Sequence, residues 1–262
     1  MSLPFTIIII WIIISAIVYF TLLLSQSTRL KKILQTVKDC RVSLVTAHPD
    51  DECMFFGPVI GSALSLGDES LNLLCLSIGN FYGVGHLRKP ELFEAAKMLG
   101  IRKELVTLVD DEELPDSMQT KWPKETIVKY VKENYNSQEV LLTFDSKGVS
   151  KHPNHTSLFD ALSTEPRTGL YLISIPFLLQ YTGALTCAPF ILGIYFFKKI
   201  SGENVHLIVA SPSTWFRTIR AMLCHKSQLM WFRILHVMLS SYFLFNIIDV
   251  SDGSTTNKTK KN

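Results

Sequence analysis

The stretch VSLVTAHPDDE, residues 42–52, carries an aliphatic run straight into a histidine, two aspartates and a glutamate. Ser43–Thr46 reads as a buried strand, and the polar group Ala47–Glu52 begins where it ends. A second stretch, VLLTFDSKGVSKHPNH at residues 140–155, repeats the arrangement. Val140–Phe144 reads as another buried strand, and its loop brings His152 and His155. Between and around these strands, apolar runs alternate with segments of helical period. Met54–Leu66 reads as a helix, Leu71–Ser77 as a second strand and Leu105–Val109 as a third. Leu87–Leu99 places Leu92, Ala95, Ala96 and Leu99 at helical spacing, with Gly100 as its stop. Pro123–Tyr135 reads as a further helix, and the acidic, polar residues 110–121 as a surface loop. The alternation predicts an α/β fold, a Rossmann-like doubly wound and mostly parallel sheet. Ligands of such sheets bind beyond the carboxyl ends of the strands, where both histidine-bearing stretches fall.

Outside this pattern the apolar residues cluster. Residues 3–24 hold no charge and match the roughly 20 apolar residues that cross a bilayer core. A signal peptide has a basic start and a shorter apolar region of about 7–15 residues. Here the basic residues follow instead, as Arg29, Lys31, Lys32, Lys38 and Arg41. Residues 1–25 therefore read as a single transmembrane anchor and 26–40 as a basic linker, with the rest of the chain on the cytoplasmic side. A domain is expected over 41–248 and a polar, disordered tail over 249–262. Within the domain, residues 170–197 carry no charge but are interrupted by Pro176, Gly183, Pro189 and Gly193. They read as a segment partly in the domain and partly at the membrane interface rather than as a second span. Residues 229–248 read as an amphipathic surface helix with Arg233 and His236 embedded.

Composition narrows the function classes. A net charge of +3 on 262 residues, with no basic stripe, argues against nucleic acid as a partner. The five cysteines form no CxxC pair, which suits a reducing compartment and buried thiols. The glycine-containing GNFYGVG, residues 79–85, lacks the spacing of a nucleotide loop. The sequence carries no signal for an oligomeric state.

The remaining chemistry lies in His48, Asp50, Asp51, His152 and His155. Adjacent aspartates on a tight turn point to different partners, so one can bind a cation while the other holds a water. Two histidines three apart before a helix supply a second source of ligands. Three ligands of the His/Asp/His type leave a coordination position open to water, the catalytic arrangement.

AHPDDE followed by HPNH resembles the LmbE-type zinc-dependent de-N-acetylases, which act on N-acetylglucosamine conjugates. GNFYGVGHLRKPEL, LLTFDSKGVSKHPNH and CHKSQLMWFR, with the apolar N-terminus, are similar to the membrane-bound branch of that family. That branch de-N-acetylates N-acetylglucosaminyl-phosphatidylinositol, the second step of GPI-anchor synthesis, on the cytoplasmic face of the endoplasmic reticulum. The resemblance covers residues 40–165 and 205–245. It implies that His48, Asp51 and His155 hold Zn2+, in a site type that also accepts other divalent metals. It implies Asp50 as general base and protonated His152 as partner of the oxyanion. The substrate would be a lipid-linked amino sugar in a lipid bilayer, or alternatively another N-acetylglucosamine conjugate cleaved by a zinc amidase. Arg88 and Glu91 match an R-x-x-E helix element of the family and bind a substrate phosphate or hydroxyl, or form an exposed helical pair. Asp145 orients a ligand histidine or caps a turn. Glu52 is a second support of the site or a helix-start acid, and His225, before Ser227-Gln228, has a structural or supporting role. His86 stands where many relatives have an acidic residue, and Ser150 where some soluble relatives place a tyrosine. Asn154-His155-Thr156 is formally a glycosylation sequon, whose use on the lumenal side would obstruct the site.

Overall fold

The computed structural model describes residues 3–25, 41–183 and 186–251. The basic linker 26–40 and the residues after Ser251 lie outside the described residues. Seven strands form one sheet: β1 (Val42–Thr46), β2 (Leu71–Cys75), β3 (Val106–Leu108), β4 (Val140–Phe144), β5 (Gly169–Leu172), β6 (Val205–Val209) and β7 (Phe245–Ser251). Their order is β3-β2-β1-β4-β5-β7-β6. The pairs from β3 through β5 are parallel, and β7 is antiparallel to both of its neighbours. Every residue of β1, β2 and β4 is buried, which is why these strands read as continuous apolar runs rather than alternating ones. The sheet is doubly wound and mostly parallel, as expected.

The chain runs outward from β1 to β2 and β3, then crosses back to pair β4 on the other side of β1. This reversal opens a crevice at the carboxyl ends of β1 and β4. The turn after β1 enters α2 (Asp51–Phe55), and a second helix, α3 (Gly57–Leu64), follows at once. The single helix expected over Met54–Leu66 is divided at Phe56, because Gly57 and Pro58 start a new helix. α4 (Gly85–Leu99) and α5 (Lys124–Asn134) complete the first half. After β4 come the short α6 (Gly148–Lys151) and α7 (Pro153–Leu162).

The second half departs from the sequence expectation. Residues 170–197 divide into β5, α8 (Phe177–Gln180) and most of α9 (Ala188–Ile200). α10 (Pro212–Met222) follows β6, and only Trp231–Leu239 of the expected surface helix forms one, α11. β7 then runs from Phe245 through Ser251, so the domain extends past residue 248, and Asp249, Val250 and Ser251 are sheet residues. Asp249 pairs with Val205 on one side and Tyr171 on the other. A strand with ordered neighbours on both sides satisfies its backbone there whatever the polarity of its last side chains.

The N-terminal α1 (Leu3–Leu24) is one helix of 22 residues and, among the described residues, the one long and apolar enough to cross a membrane. Most of its side chains are exposed, while Ser15, Tyr19 and Leu22 are buried against the domain.

Candidate active site

Thr46 ends β1, and the next five residues supply most of the site. Asp50 adopts φ 114°, a conformation sparsely used by residues other than glycine. The turn is held on several sides. Asp51 Oδ2 accepts the N–H groups of Ala47 and His48 at 3.0 and 2.9 Å. Glu52 Oε2 accepts the N–H of Asp50 at 3.1 Å. Arg88 on α4 donates through Nη2 to the carbonyl of Pro49. The strained position is thus over-determined by its neighbours, as it must be to persist.

β4 brings the second group from across the crevice. Gly148, at φ 56°, begins a turn whose carbonyl accepts His155 Nδ1–H at 3.0 Å. The ring of His155 stacks on Phe144, with centroids 4.0 Å apart and planes within 3°. These contacts fix the tautomer and leave Nε2 as a lone-pair donor. Nε2 lies 3.3 Å from Asp51 Oδ1, yet it is buried and makes no hydrogen bond. His48 Nε2 donates to Asn154 Oδ1 at 3.0 Å, which leaves His48 Nδ1 directed toward Asp51 at 3.8 Å.

His48, Asp51 and His155 therefore converge, with ligand atoms within 4.8 Å of one another and all three residues buried. Metal bonds of about 2.0–2.2 Å place neighbouring ligand atoms of a tetrahedral site roughly 3.3–3.5 Å apart. The orphaned His155 nitrogen and its 3.3 Å separation from Asp51 fit a bound divalent cation. Protonation favours it at two of the three residues. Burial holds the His48 pKa below its ordinary value, outweighing Asp51 and Asp116. Burial opposes ionisation of Asp51, but the facing His155 and His48 outweigh it and keep the carboxyl well below the usual range. Metal ligands must be deprotonated, and His48 and Asp51 are held in that form. Burial opposes a charge on His155, but the Asp51 carboxylate raises its pKa above the ordinary value, a proton that a bound cation would displace.

Asp50 lies at the edge of this cluster and is nearly buried. Its Oδ2 accepts from Arg233 Nη1 at 2.7 Å, and Oδ1 is 3.4 Å from Arg88 Nη2. Two guanidinium groups thus clamp one carboxylate. His152 caps α7, and its Nδ1 accepts the N–H of Asn154 at 3.2 Å. The proton is accordingly on Nε2, on the side of Asp116 Oδ1 at 4.0 Å. Burial, with His48 and His155 close by, pushes the His152 pKa down to about 3. The imidazole is neutral at pH 7, not the protonated group expected from the sequence, because it stands among other histidines away from bulk water.

Glu52 and His225 form a buried pair, 2.6 Å apart and both without exposed surface. Burial alone would lower the His225 pKa, but the Glu52 carboxylate raises it above the ordinary value. Glu52 thereby links His225 to the backbone of Asp50.

Glu91 falls elsewhere, and Asp145 takes the turn-capping alternative. Glu91 accepts both the N–H and the hydroxyl of Ser227, at 2.8 and 2.6 Å, and lies outside the cavity. It fastens α4 to the turn that carries His225 and Gln228. Helical spacing put Glu91 beside Arg88, but Arg88 turns inward and Glu91 toward that turn. Asp145 touches no histidine. It caps the turn at Gly148 and binds Ser174, so it acts on His155 only through the Gly148 carbonyl.

A cavity of about 400 Å³ opens above the cluster, within the size range of small-molecule sites. Three of its lining residues escaped the sequence reading. Asp116 lies in the stretch 110–121, which is mostly exposed loop as expected but turns this carboxylate toward the site; it pairs with Arg88 and sits 3.3 Å from His48 Nε2. Arg233 and His236 reach in from α11. Their signal was visible as a charge and a histidine inside an apolar run, since such groups are seldom buried without partners. Asn154, fully buried, also donates to Thr120 O at 3.0 Å, so its amide is committed within the fold.

The chain is similar to proteins of known name over most of its length. It is 34% identical over 217 residues to the probable N-acetylglucosaminyl-phosphatidylinositol de-N-acetylase of Schizosaccharomyces pombe, spanning 79% of this chain and 85% of that one. It is 33% identical over 219 residues to the N-acetylglucosaminyl-phosphatidylinositol de-N-acetylase of Bos taurus, spanning 80% and 83%. Among solved structures, it shares its fold with the N,N'-diacetylchitobiose deacetylase of Pyrococcus horikoshii (TM-score 0.53, 15% identity, 83% of this chain and 86% of that one). It also shares its fold with the A40926 pseudoaglycone deacetylase (TM-score 0.55, 12% identity, 81% and 98%). Residues 43–164, which contain both histidine-bearing turns, match the family described as PIG-L, GlcNAc-PI de-N-acetylase, and with the relatives above this shows that the chain belongs to that family.

Proposed function

We propose that this protein hydrolyses the acetamide of N-acetylglucosaminyl-phosphatidylinositol, giving glucosaminyl-phosphatidylinositol and acetate. The observation that carries the reading is the convergence of His48, Asp51 and the unpartnered His155 Nε2 beside the clamped carboxylate of Asp50. A zinc ion held by His48, Asp51 and His155 would polarise the amide carbonyl and acidify a bound water. Asp50 takes the proton of the attacking water as its oxygen bonds to the carbonyl carbon. Arg88 and Arg233 keep that carboxylate aimed while its charge changes. His152, neutral with its proton on Nε2, donates a hydrogen bond to the oxyanion rather than a full charge. Such donors contribute about 2.7–4 kcal/mol in other hydrolases. The proton held by Asp50 then passes to the amine nitrogen, the C–N bond breaks and acetate leaves. Arg88 also lines the cavity, with its guanidinium engaged by Asp50, Asp116 and the carbonyls of Gly79 and Pro49, so it serves to hold those groups at the substrate's side.

The setting we propose is the cytoplasmic face of the endoplasmic reticulum membrane, with α1 as a single-pass anchor. The basic run after α1 supports that side. The buried Asn154 supports it too, since a glycan on its amide is incompatible with the fold. The test is an assay of the detergent-dispersed full chain on N-acetylglucosaminyl-phosphatidylinositol, with product mass as the readout. Activity should vanish with a chelator and return with zinc. Cleavage of soluble N-acetylglucosamine conjugates alone, with the lipid substrate untouched, would reject the lipid reading in favour of a soluble-substrate amidase.

A further inference from the structure

We infer that the mouth of the active site lies within a membrane leaflet, with α8, α9 and α11 bedded in its acyl chains, so that substrate enters sideways from the lipid. This rests on the reading of the substrate as a lipid-linked sugar.

The depth follows from α1. Its 22 residues extend roughly 33 Å, about one hydrocarbon core. Trp11 Nε1 donates to the carbonyl of Thr186 at 3.2 Å, and its ring meets Phe190 with centroids 5.3 Å apart. Trp11 lies 13 residues before Leu24, roughly 20 Å along the axis. If α1 spans the bilayer, Thr186 and the start of α9 sit well inside the hydrocarbon. α9 itself has 13 residues, about 20 Å, too short to cross. It therefore enters and leaves on the same side, ending at Lys198 and Lys199, whose stems can follow the apolar surface while their charges stay wet.

The same level is carried to the site by direct contacts. Gly183 donates its N–H to the carbonyl of Leu239 at 3.2 Å, joining the loop before α9 to the end of α11. The Tyr181 hydroxyl meets His236 Nδ1 at 3.1 Å. α11 turns His236 and Arg233 inward, while Trp231, Ile234 and Met238 are exposed by 72%, 52% and 65%. On α8, Phe177 and Leu178 are exposed by 73% and 80%. Phe177 belongs to the cavity rim, with the exposed Phe81, Tyr82 and Met118. The polar floor of the cavity thus opens through an apolar collar, continuous with faces joined to the membrane helix. Apolar area on this scale is seldom left to water by a monomer, and acyl chains supply a matching cover.

Two experiments on the full chain in phosphatidylcholine vesicles test this. The first places a diazirine on the lipid acyl chains and maps labelled peptides after photolysis. Label is expected in residues 177–200 and 231–238 as well as in α1; label confined to α1 would overturn the proposal and leave those faces to a protein partner. The second compares Leu178→Asp/Met238→Asp with the native protein. Turnover of long-chain substrate in vesicles should fall at least tenfold, while turnover of its deacylated, water-soluble counterpart stays unchanged. Equal effects on both substrates would also overturn it. Native protein that cleaves neither substrate contradicts the proposed function, whereas the lipid label decides the membrane seat independently.

Discussion

Replacing His225 with leucine removes the imidazole from a pair that has no exposed surface and leaves the Glu52 carboxylate buried without its cation. Breaking one side of a buried ion pair costs about 3–5 kcal/mol. In a domain of this size each kcal/mol moves the melting temperature by about 2–4 °C, so His225→Leu should melt roughly 6–20 °C lower. Glu52→Gln is the milder change. A glutamine accepts the Asp50 N–H and donates to a neutral His225, so its loss should be nearer the ~1 kcal/mol of one altered hydrogen bond. The order native, Glu52→Gln, His225→Leu is therefore expected in thermal unfolding of the detergent-dispersed full chain. Both variants should also lose turnover, because Glu52 holds the backbone of Asp50 at its strained φ of 114°. Zinc content should stay near native, since neither side chain bonds to His48, Asp51 or His155. A His225→Leu protein that melts within about 2 °C of native would refute the claim that this pair supports the turn.

Three further changes probe other parts of the account. Gly148→Ala puts a Cβ 2.8 Å from that of His155 at φ 56°; it should cost about 1–2 kcal/mol and weaken zinc retention about 10–100-fold, read by competition with a chromogenic chelator. His236 has its pKa pushed down to about 4 by burial, so below pH 6.5 the unfolded chain takes up a proton that the native one refuses. This group alone should cost roughly 3 kcal/mol of stability as pH drops from 6.5 to 4, and His236→Phe should make the urea-midpoint profile shallower over that window, the share of His48 and His152 remaining. Arg233→Ala releases one of the two clamps on Asp50 and should lower kcat at least about tenfold, as expected when a charge-assisted hydrogen bond of about 1.5–3 kcal/mol is lost. Arg233→Lys keeps the charge without the planar fork and should recover only part of that rate.

The parts of the fold legible in the sequence are those whose physics is local or one-sided. β1 and β4 are buried on both faces, so VSLVT and VLLTF stand out as uninterrupted runs. Ala47–Glu52 and His152–His155 each follow the carboxyl end of a buried strand, which points both to one side of the sheet; that β1 and β4 are neighbours is shown by their pairing. β5 and β7 were hidden because GLYL is embedded in a longer apolar segment and FNIIDVS ends in polar residues. Their pairing with each other, and with β4 and β6 on their outer sides, is what makes them strands. Within the site, the candidate ligands come from the motifs and the family resemblance they carry, but the partners of the neighbouring side chains do not show in the sequence. Nothing at helical spacing says that Arg88 faces Asp50 while Glu91 faces Ser227. Asp116 and Arg233 come from stretches read as surface, and only the inward turns of the loop and of α11 bring them to His48 and Asp50. The neutral state of His152 likewise depends on how deeply the three histidines are packed.

The most direct test compares initial rates of acetate release from N-acetylglucosaminyl-phosphatidylinositol by native protein and Asp50→Asn at equal zinc content. Asparagine preserves shape and the hydrogen bonds from Arg233, but it cannot accept the water's proton. Loss of a general base slows such reactions about 10²–10⁴-fold, so a fall of that size with zinc retained is the result this account predicts. An Asp50→Asn protein that turns over at a rate near native would contradict it, and the proton would have to leave by another residue.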